Sequence, residues 1–300
     1  MYDKVFLNEY GFYELKKKPS LKSMKEDFEG SYYQESKGNY EQKYTKTEKN
    51  FFKIKYDQKK RIIESHVHFS DNQKKSLLDI GCGEGYALKY FYENGYKVLG
   101  IDFSRHGITN NNPDMLPFFC QGDCVTILKN MVSKGEKFDV INMDQSLDMM
   151  LEPEKVLKLC KNILQNDGVM IIKVANNYSV LQEYLIKTQK VDREFWLDEE
   201  GHPYYFNKEG LIKFLNAFGY RCENVYGESF IDFNLLNDKT NYYRDKTVGK
   251  SCYYARIELE LLMEKLSEEK TLEIYRLLGE MGLGREIMGV FKKGVKCHIQ

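Results

Sequence analysis

The sequence predicts an α/β fold: a parallel sheet covered by helices on both faces. Short apolar runs alternate with helical stretches from Ser76 to Val174, at the spacing of β–α–β units. Alternate glycines, Gly81, Gly83 and Gly85, follow the first of those runs directly, where a backbone must turn tightly between strand and helix. The chain of 300 residues is 42% hydrophobic and 30% charged, enough for a real core under a polar surface.

Before Ser76 no segment reads as a strong strand. Tyrosines are dense there, with Tyr32, Tyr33, Tyr40 and Tyr44 preceding a helix expected from about Thr45 to Ser65, whose Phe51, Ile54 and Ile62 make a loose apolar stripe. Ser76 to Ile80 is the first buried strand. A helix through Leu88 to Tyr92 stops at Asn94-Gly95, a left-handed C-terminal signal. Strands are expected at Lys97 to Ile101, closed by Asp102, then at Phe118 to Gln121, Phe138 to Met143 and Gly168 to Val174. A helix from Pro153 to Leu164 precedes the last of these. Near-continuous apolar runs are what strands buried on both faces require. A helix at Ser179 to Thr188, a loop at Asp192 to Asn207, an amphipathic helix at Lys208 to Phe218 and a strand at Arg221 to Tyr226 follow. The final strand is expected at Ile287 to Lys292. About sixty residues separate these two strands, far more than an ordinary connection, so helices are expected near Ile257 to Leu266 and Leu272 to Gly279. The chain thus divides into an N-terminal helical cap or substrate segment (1–70), a core (71–226 plus 285–300) and an inserted lid or interaction element (227–284).

Formal net charge is zero, which argues against a nucleic-acid partner, since chains that hold a phosphate backbone carry a basic excess. The runs Lys16-Lys17-Lys18 and Lys59-Lys60-Arg61 read as solvated surface. The N-terminus lacks a secretion signal and no apolar run reaches membrane-spanning length, so membrane insertion is not expected and a cytoplasmic setting is. Seven cysteines without zinc-site spacing fit reduced thiols, and no metal is expected. His66-Val67-His68 lacks a third ligand and reads as a helix end. Gly282-x-Gly284 reads as a turn.

The informative segment is Leu78-Asp79-Ile80-Gly81-Cys82-Gly83-Glu84-Gly85. A dinucleotide fold would place its third glycine at position 86, which is Tyr86, so the spacing suits a ligand without a pyrophosphate. Asp79 at the strand end suits a cationic amino-acid moiety. Asp102 ends the second strand, where a carboxylate grips ribose hydroxyls. Asp123 follows the third and is placed to accept from an adenine amino group.

As a set, these residues and the segment from Phe138 to Pro153 resemble the successive motifs of class I S-adenosylmethionine-dependent methyltransferases, over about residues 75–175. The resemblance implies a Rossmann-like, doubly wound sheet of seven strands with the last one antiparallel. It implies S-adenosylmethionine as cofactor, with S-adenosylhomocysteine as product. Its site would be Asp79, Gly81, Cys82, Gly83, Gly85, Asp102, Phe103, Asp123, Cys124, Asp144 and Gln145. Methionine would lie near Gly81 and Gly83, and adenine between Phe103 and Asp123 with Cys124. Where many relatives carry Leu-Glu-His after the fourth strand, this chain has Leu147-Asp148-Met149, so no base carries over at position 149. An Asn/Asp-Pro-Pro-Tyr motif near Asn142 to Gln145 is also absent, which counts against methylation of adenine bases.

Methyl transfer to an alcohol benefits from a base beside the oxygen, and His202 is the candidate. Tyr32, Tyr33, Tyr204, Tyr205, Tyr242 and Tyr243 are candidates for an acceptor wall, and Arg244, with Lys246 and Arg256, for gripping a phosphate. The segments Gly201 to Phe206, Asn241 to Asp245 and Gly249-Lys250, with the N-terminal tyrosines, resemble methyltransferases of bacterial surface-polysaccharide (capsule or lipopolysaccharide) biosynthesis. The expected function is methyl transfer to a small-molecule acceptor, an oxygen of a sugar or nucleotide-linked surface-glycan precursor. The rivals are an RNA or protein methyltransferase and a non-catalytic cofactor-binding scaffold or sensor.

Overall fold

A computed structural model of the chain describes residues 2–20, 22–24, 44–67 and 75–294. It opens with a short hairpin, β1 (Val5–Leu7) and β2 (Tyr13–Leu15). Its turn is held by the Asn8 side chain, whose Oδ1 accepts from the amides of Tyr10 at 3.0 Å and Phe12 at 3.2 Å. Helix α1 (Lys46–His66) follows, closed at its start by a reciprocal capping box between Thr45 and Glu48.

The core then alternates as expected: β3 (Ser76–Ile80), α2 (Tyr86–Glu93), β4 (Lys97–Asp102), α3 (His106–Asn111), β5 (Phe119–Gln121), α4 (Cys124–Ser133), β6 (Phe138–Asp144), α5 (Pro153–Ile163), β7 (Leu164–Ala175) and α6 (Val180–Lys187). After it come β8 (Tyr204–Tyr205), α7 (Lys208–Ala217), β9 (Tyr220–Glu228), α8 (Gly249–Leu266), α9 (Glu268–Glu280) and β10 (Glu286–Lys293). Seven strands form the central sheet in the order β5-β4-β3-β6-β7-β10-β9. Among them only β10 runs against its neighbours, antiparallel to both β7 and β9.

The apolar strand runs divide by period two. Leu77, Val140, Val169 and Ile171 pack into one core with residues of α1, α2 and α9, while Leu78, Ile141, Met170 and Ile172 pack into the other with α4, α5 and α7. Both faces are therefore dry, and the functional side chains concentrate at the carboxyl ends of the parallel strands.

Two regions differ from the sequence reading. The N-terminal segment contributes strands: β1, β2 and β8 form a second, three-stranded sheet. β1 and β2 have three residues each, too short for an alternating pattern to register, and their partner β8 lies almost two hundred positions away in what reads as loop. The insertion before β10, expected as a lid or interaction element, also packs on the core. Its α9 lies on the sheet, and its Gly279 approaches β9 so closely that a Cβ there would stand 2.3 Å from the Val225 carbonyl oxygen. Among the described residues, no helix is long and apolar enough to cross a membrane.

Candidate active site

A cavity of about 750 Å³ opens at the carboxyl ends of β3, β4, β6 and β7. Its floor is the glycine turn between β3 and α2. Gly81 has φ +80°, and a Cβ on it would lie 2.5 Å from the Ser146 Cβ, so only glycine lets the turn pass beneath the β6 end. The turn is anchored by amides of Gly81 and Cys82 donating to the Ile101 carbonyl, at 2.8 and 3.1 Å. Ser146 Oγ closes it from the other side by donating to the Ile80 carbonyl at 2.7 Å.

The acidic groups are held but not exhausted by the protein. Asp102 accepts from the Gly83 amide at 2.9 Å and the Ser104 amide at 3.0 Å, one bond to each oxygen. Burial pushes its carboxyl above the ordinary value, against those two bonds. Asp79 accepts from Asn142 Nδ2 at 2.6 Å, the two being register partners across β3 and β6. Burial nonetheless pushes Asp79 up to about 6, outweighing Asn142 and the nearby Lys59. A carboxylate so placed is short of a cation. Asp123 caps α4, its Oδ2 accepting from the amide and hydroxyl of Thr126. Burial also raises the Cys124 thiol, to about 12, leaving it a neutral apolar surface. All eleven residues expected around the cofactor, Asp79 through Gln145, line this one cavity.

Beyond these, the lining contains residues that sequence reasoning missed. Tyr44, Phe52 and Tyr56 reach in from α1 and the residues just before it, Glu84 from the glycine turn, Met149 to Glu152 from the turn after β6, Lys173 from β7 and Tyr253 from α8. The Tyr44 hydroxyl donates to Glu84 at 3.0 Å, and burial pushes the Glu84 carboxyl up to about 7. Lys173 stands opposite Asp144 in the β6–β7 register, 3.4 Å away, and contacts Glu228 and Glu286. A lysine inside the apolar run Gly168 to Val174 is the one signal that could have revealed it.

The Lys59-Lys60-Arg61 run is not the solvated surface expected. Lys59 is 3% exposed, its Nζ donating to Asp144 at 2.6 Å and Asn142 at 3.1 Å. Arg61 pairs with Glu264 on α8. The inner face of α1 is charged because it rests on strand-end carboxylates, and periodicity of apolar residues cannot register that. Burial would raise Asp144, but Lys173 and Lys59 hold it well below the usual carboxylate range.

The candidate substrate residues do not gather there. Tyr204 and Tyr205 are buried, Tyr205 beneath the small sheet with Val5 and Leu15 and Tyr204 against Phe12. Tyr242, Tyr243 and Arg244 line a separate surface hollow of about 980 Å³ beside Arg193 and Phe195. Tyr242 and Tyr243 donate to Asp232 and Asp192. Arg256 contacts Phe51 and Glu260. His202 lies behind the cavity wall, its Nδ1 3.3 Å from Asp148 Oδ2, and does not line the cavity. Tyr32, Tyr33 and His68 lie outside the described residues. His66 sits at the α1 end, its ring nitrogens meeting the Ile62 carbonyl and Asn224.

A family model for a methyltransferase domain matches residues 54–225. A relative named ubiquinone biosynthesis O-methyltransferase, from Glaesserella parasuis serovar 5, is 24% identical over 205 residues, covering 61% of this chain and 78% of the relative. Another of that name, from Bartonella quintana, is 26% identical over 182 residues, covering 58% and 70%. Among solved structures, a SAM dependent methyltransferase from Archaeoglobus fulgidus superposes with a TM-score of 0.50 at 16% identity, covering 82% of this chain and 97% of that one. The plantazolicin methyltransferase BamL, in complex with a triazolic desmethylPZN analog and SAH, gives 0.50 at 18%, covering 83% and 87%. At such identities these structures speak for the fold alone.

Proposed function

Since this chain belongs to the methyltransferase domain family and depends on S-adenosylmethionine, we propose that it methylates a hydroxyl of a small molecule held at the outer end of the 750 Å³ cavity. One observation carries this reading: the eleven cofactor candidates share one cavity, in which burial holds the Asp79 and Asp102 carboxyls above their ordinary values. The bound cofactor supplies an electrophilic sulfonium methyl. Asp79 pairs with its ammonium group, and Asp102, fixed by the Gly83 and Ser104 amides, accepts from the ribose hydroxyls. Phe103, Cys124 and the capping residue Asp123 form the adenine end. The acceptor side is then the apolar and aromatic wall of Phe52, Tyr56, Met149, Met150, Leu151 and Tyr253. Such a wall excludes water and sets the acceptor oxygen in line with the methyl, which is the larger part of the catalytic task.

Oxygen as the atom methylated follows the relatives' names, which specify O-methyltransferases of ubiquinone biosynthesis rather than of glycans. A sugar or nucleotide-linked acceptor has less support, because Tyr242, Tyr243 and Arg244, on which it drew, open onto the other hollow. Calorimetric titration with S-adenosylhomocysteine tests the placement. The wild type should bind, and Asp102→Ala should weaken binding about a hundredfold, the loss of charge-assisted hydrogen bonds from two hydroxyls. Undiminished affinity in Asp102→Ala refutes it. Transfer of a labelled methyl to phenols, to nucleotide sugars or to RNA then sorts the acceptors.

A further inference from the structure

The turn after β6 has an unusual support. Asp148, in the 3₁₀ turn Leu147–Met149, is 1% exposed, and neither of its carboxylate oxygens accepts a hydrogen bond among the described residues. Within that set its single ion-pair partner is His202, from the segment before β8. β8 itself ties the turn a second time, with the Tyr204 hydroxyl donating to the Leu151 carbonyl at 3.3 Å. On its other side the turn carries Ser146, packed over Gly81, and Met149 to Glu152, which line the cavity.

A buried carboxylate without a hydrogen-bond donor is held only by a positive partner, and removing that partner leaves an uncompensated charge. We propose that His202 is a positioning residue: its imidazolium is the counter-ion that keeps Asp148, and with it the 146–152 turn, pressed against the cofactor cavity. The inference rests on the cofactor placement proposed above. It assigns His202 a role through Asp148 rather than at the reacting atoms, in keeping with its place behind the wall.

A pH dependence follows. The charged groups facing His202 are Asp148, Asp198 and Arg285. Burial would lower its pKa, but Asp148 chiefly, and Asp198, carry it above the ordinary 6.5, with Arg285 opposing. The folded value is thus raised above the unfolded one. The contribution is fully present below about pH 6.5 and is lost as pH rises through the folded value.

The test is S-adenosylhomocysteine affinity from pH 5.5 to 9 for the wild type, His202→Gln, Asp148→Asn and the double variant. Measured relative to Asp148→Asn, which shares the Asp79 titration and the ligand's own, wild-type affinity should fall about tenfold across the His202 titration. His202→Gln should show the weaker affinity even at the acid end, and the double variant should bind more tightly than His202→Gln alone, because the orphaned charge is gone. Asp148→Asn should lack the wild-type fall. If His202→Gln keeps the wild-type affinity and profile, or if the double variant is no better than His202→Gln, the inference is wrong while the cofactor placement stands. If the wild type binds at no pH, the placement itself fails and this inference falls with it.

Discussion

Asp79→Asn should make the free protein more stable and the enzyme worse. In the wild type, burial lifts the Asp79 carboxyl from an ordinary 3.8 to about 6. Keeping it ionised at neutral pH therefore costs the fold about 3 kcal/mol, at 1.36 kcal/mol for each unit of pKa. The sign is that of a raised folded pKa: the wild type is unpenalised below about pH 4 and loses stability as pH climbs through 6. The amide of the variant mimics the neutral acid and keeps an oxygen for the Asn142 side chain. The variant should melt with the wild type at pH 4 and about 5 °C above it at pH 7.5, taking an unfolding entropy near 0.6 kcal/mol per kelvin for a chain of this length. Saturating S-adenosylhomocysteine should close most of the gap, because its ammonium group restores the partner that the Asp79 carboxylate lacks and that a neutral amide cannot use. Loss of that charge-assisted bond should weaken binding by roughly 10- to 100-fold. Circular dichroism melts across pH, with and without the ligand, read both effects. A gap that does not change between pH 4 and pH 7.5, or a less stable variant at pH 7.5, refutes the account.

Two further substitutions probe the frame around that carboxylate. Gly81→Ala meets a left-handed backbone, worth about 1–2 kcal/mol, together with the Ser146 Cβ at 2.5 Å. It should lower the melting temperature and abolish the stabilisation given by S-adenosylhomocysteine, and a variant that still binds normally would place the turn elsewhere. Lys59→Met leaves Asp144 with Lys173 as its remaining cation among the described residues and should cost about 3 kcal/mol, or about 5 °C in a melt at pH 7; a neutral effect would show that Lys173 suffices.

The legible part of this protein is the part governed by local patterning. Buried strands announce themselves as apolar runs, so Ser76–Ile80 is read to the residue and β4, β5 and β6 to within one. Carboxylates at strand ends and glycines in the first turn are legible too, because each is costly where it stands and is tolerated only for a ligand or a turn. The pairing of β10 is another matter. Its neighbours β7 and β9 lie far away in the chain, and its antiparallel sense came from resemblance rather than from any property of Glu286–Lys293.

The illegible part is the proposed acceptor side, and the reason is physical. Phe52, Tyr56 and Lys59 recur along α1 at intervals of four and three, one face of a helix, but a face that mixes two aromatics with a cation registers neither as core nor as surface. Lys59 is buried because Asp144 and Asn142 await it 85 and 83 positions downstream, and no window of sequence contains both halves of that pair. The same holds for His202 and Asp148, separated in sequence but adjoining across the turn. A missing histidine at position 149 reads in sequence as a loss of chemistry at the turn; in space a histidine approaches the same turn from another strand connection, beside the carboxylate one residue earlier. The proposed acceptor wall draws Phe52, Tyr56 and Tyr253 from segments outside the alternating strand–helix core, far in sequence from the turn after β6 that they face, so a single chain reveals its cofactor end before its acceptor.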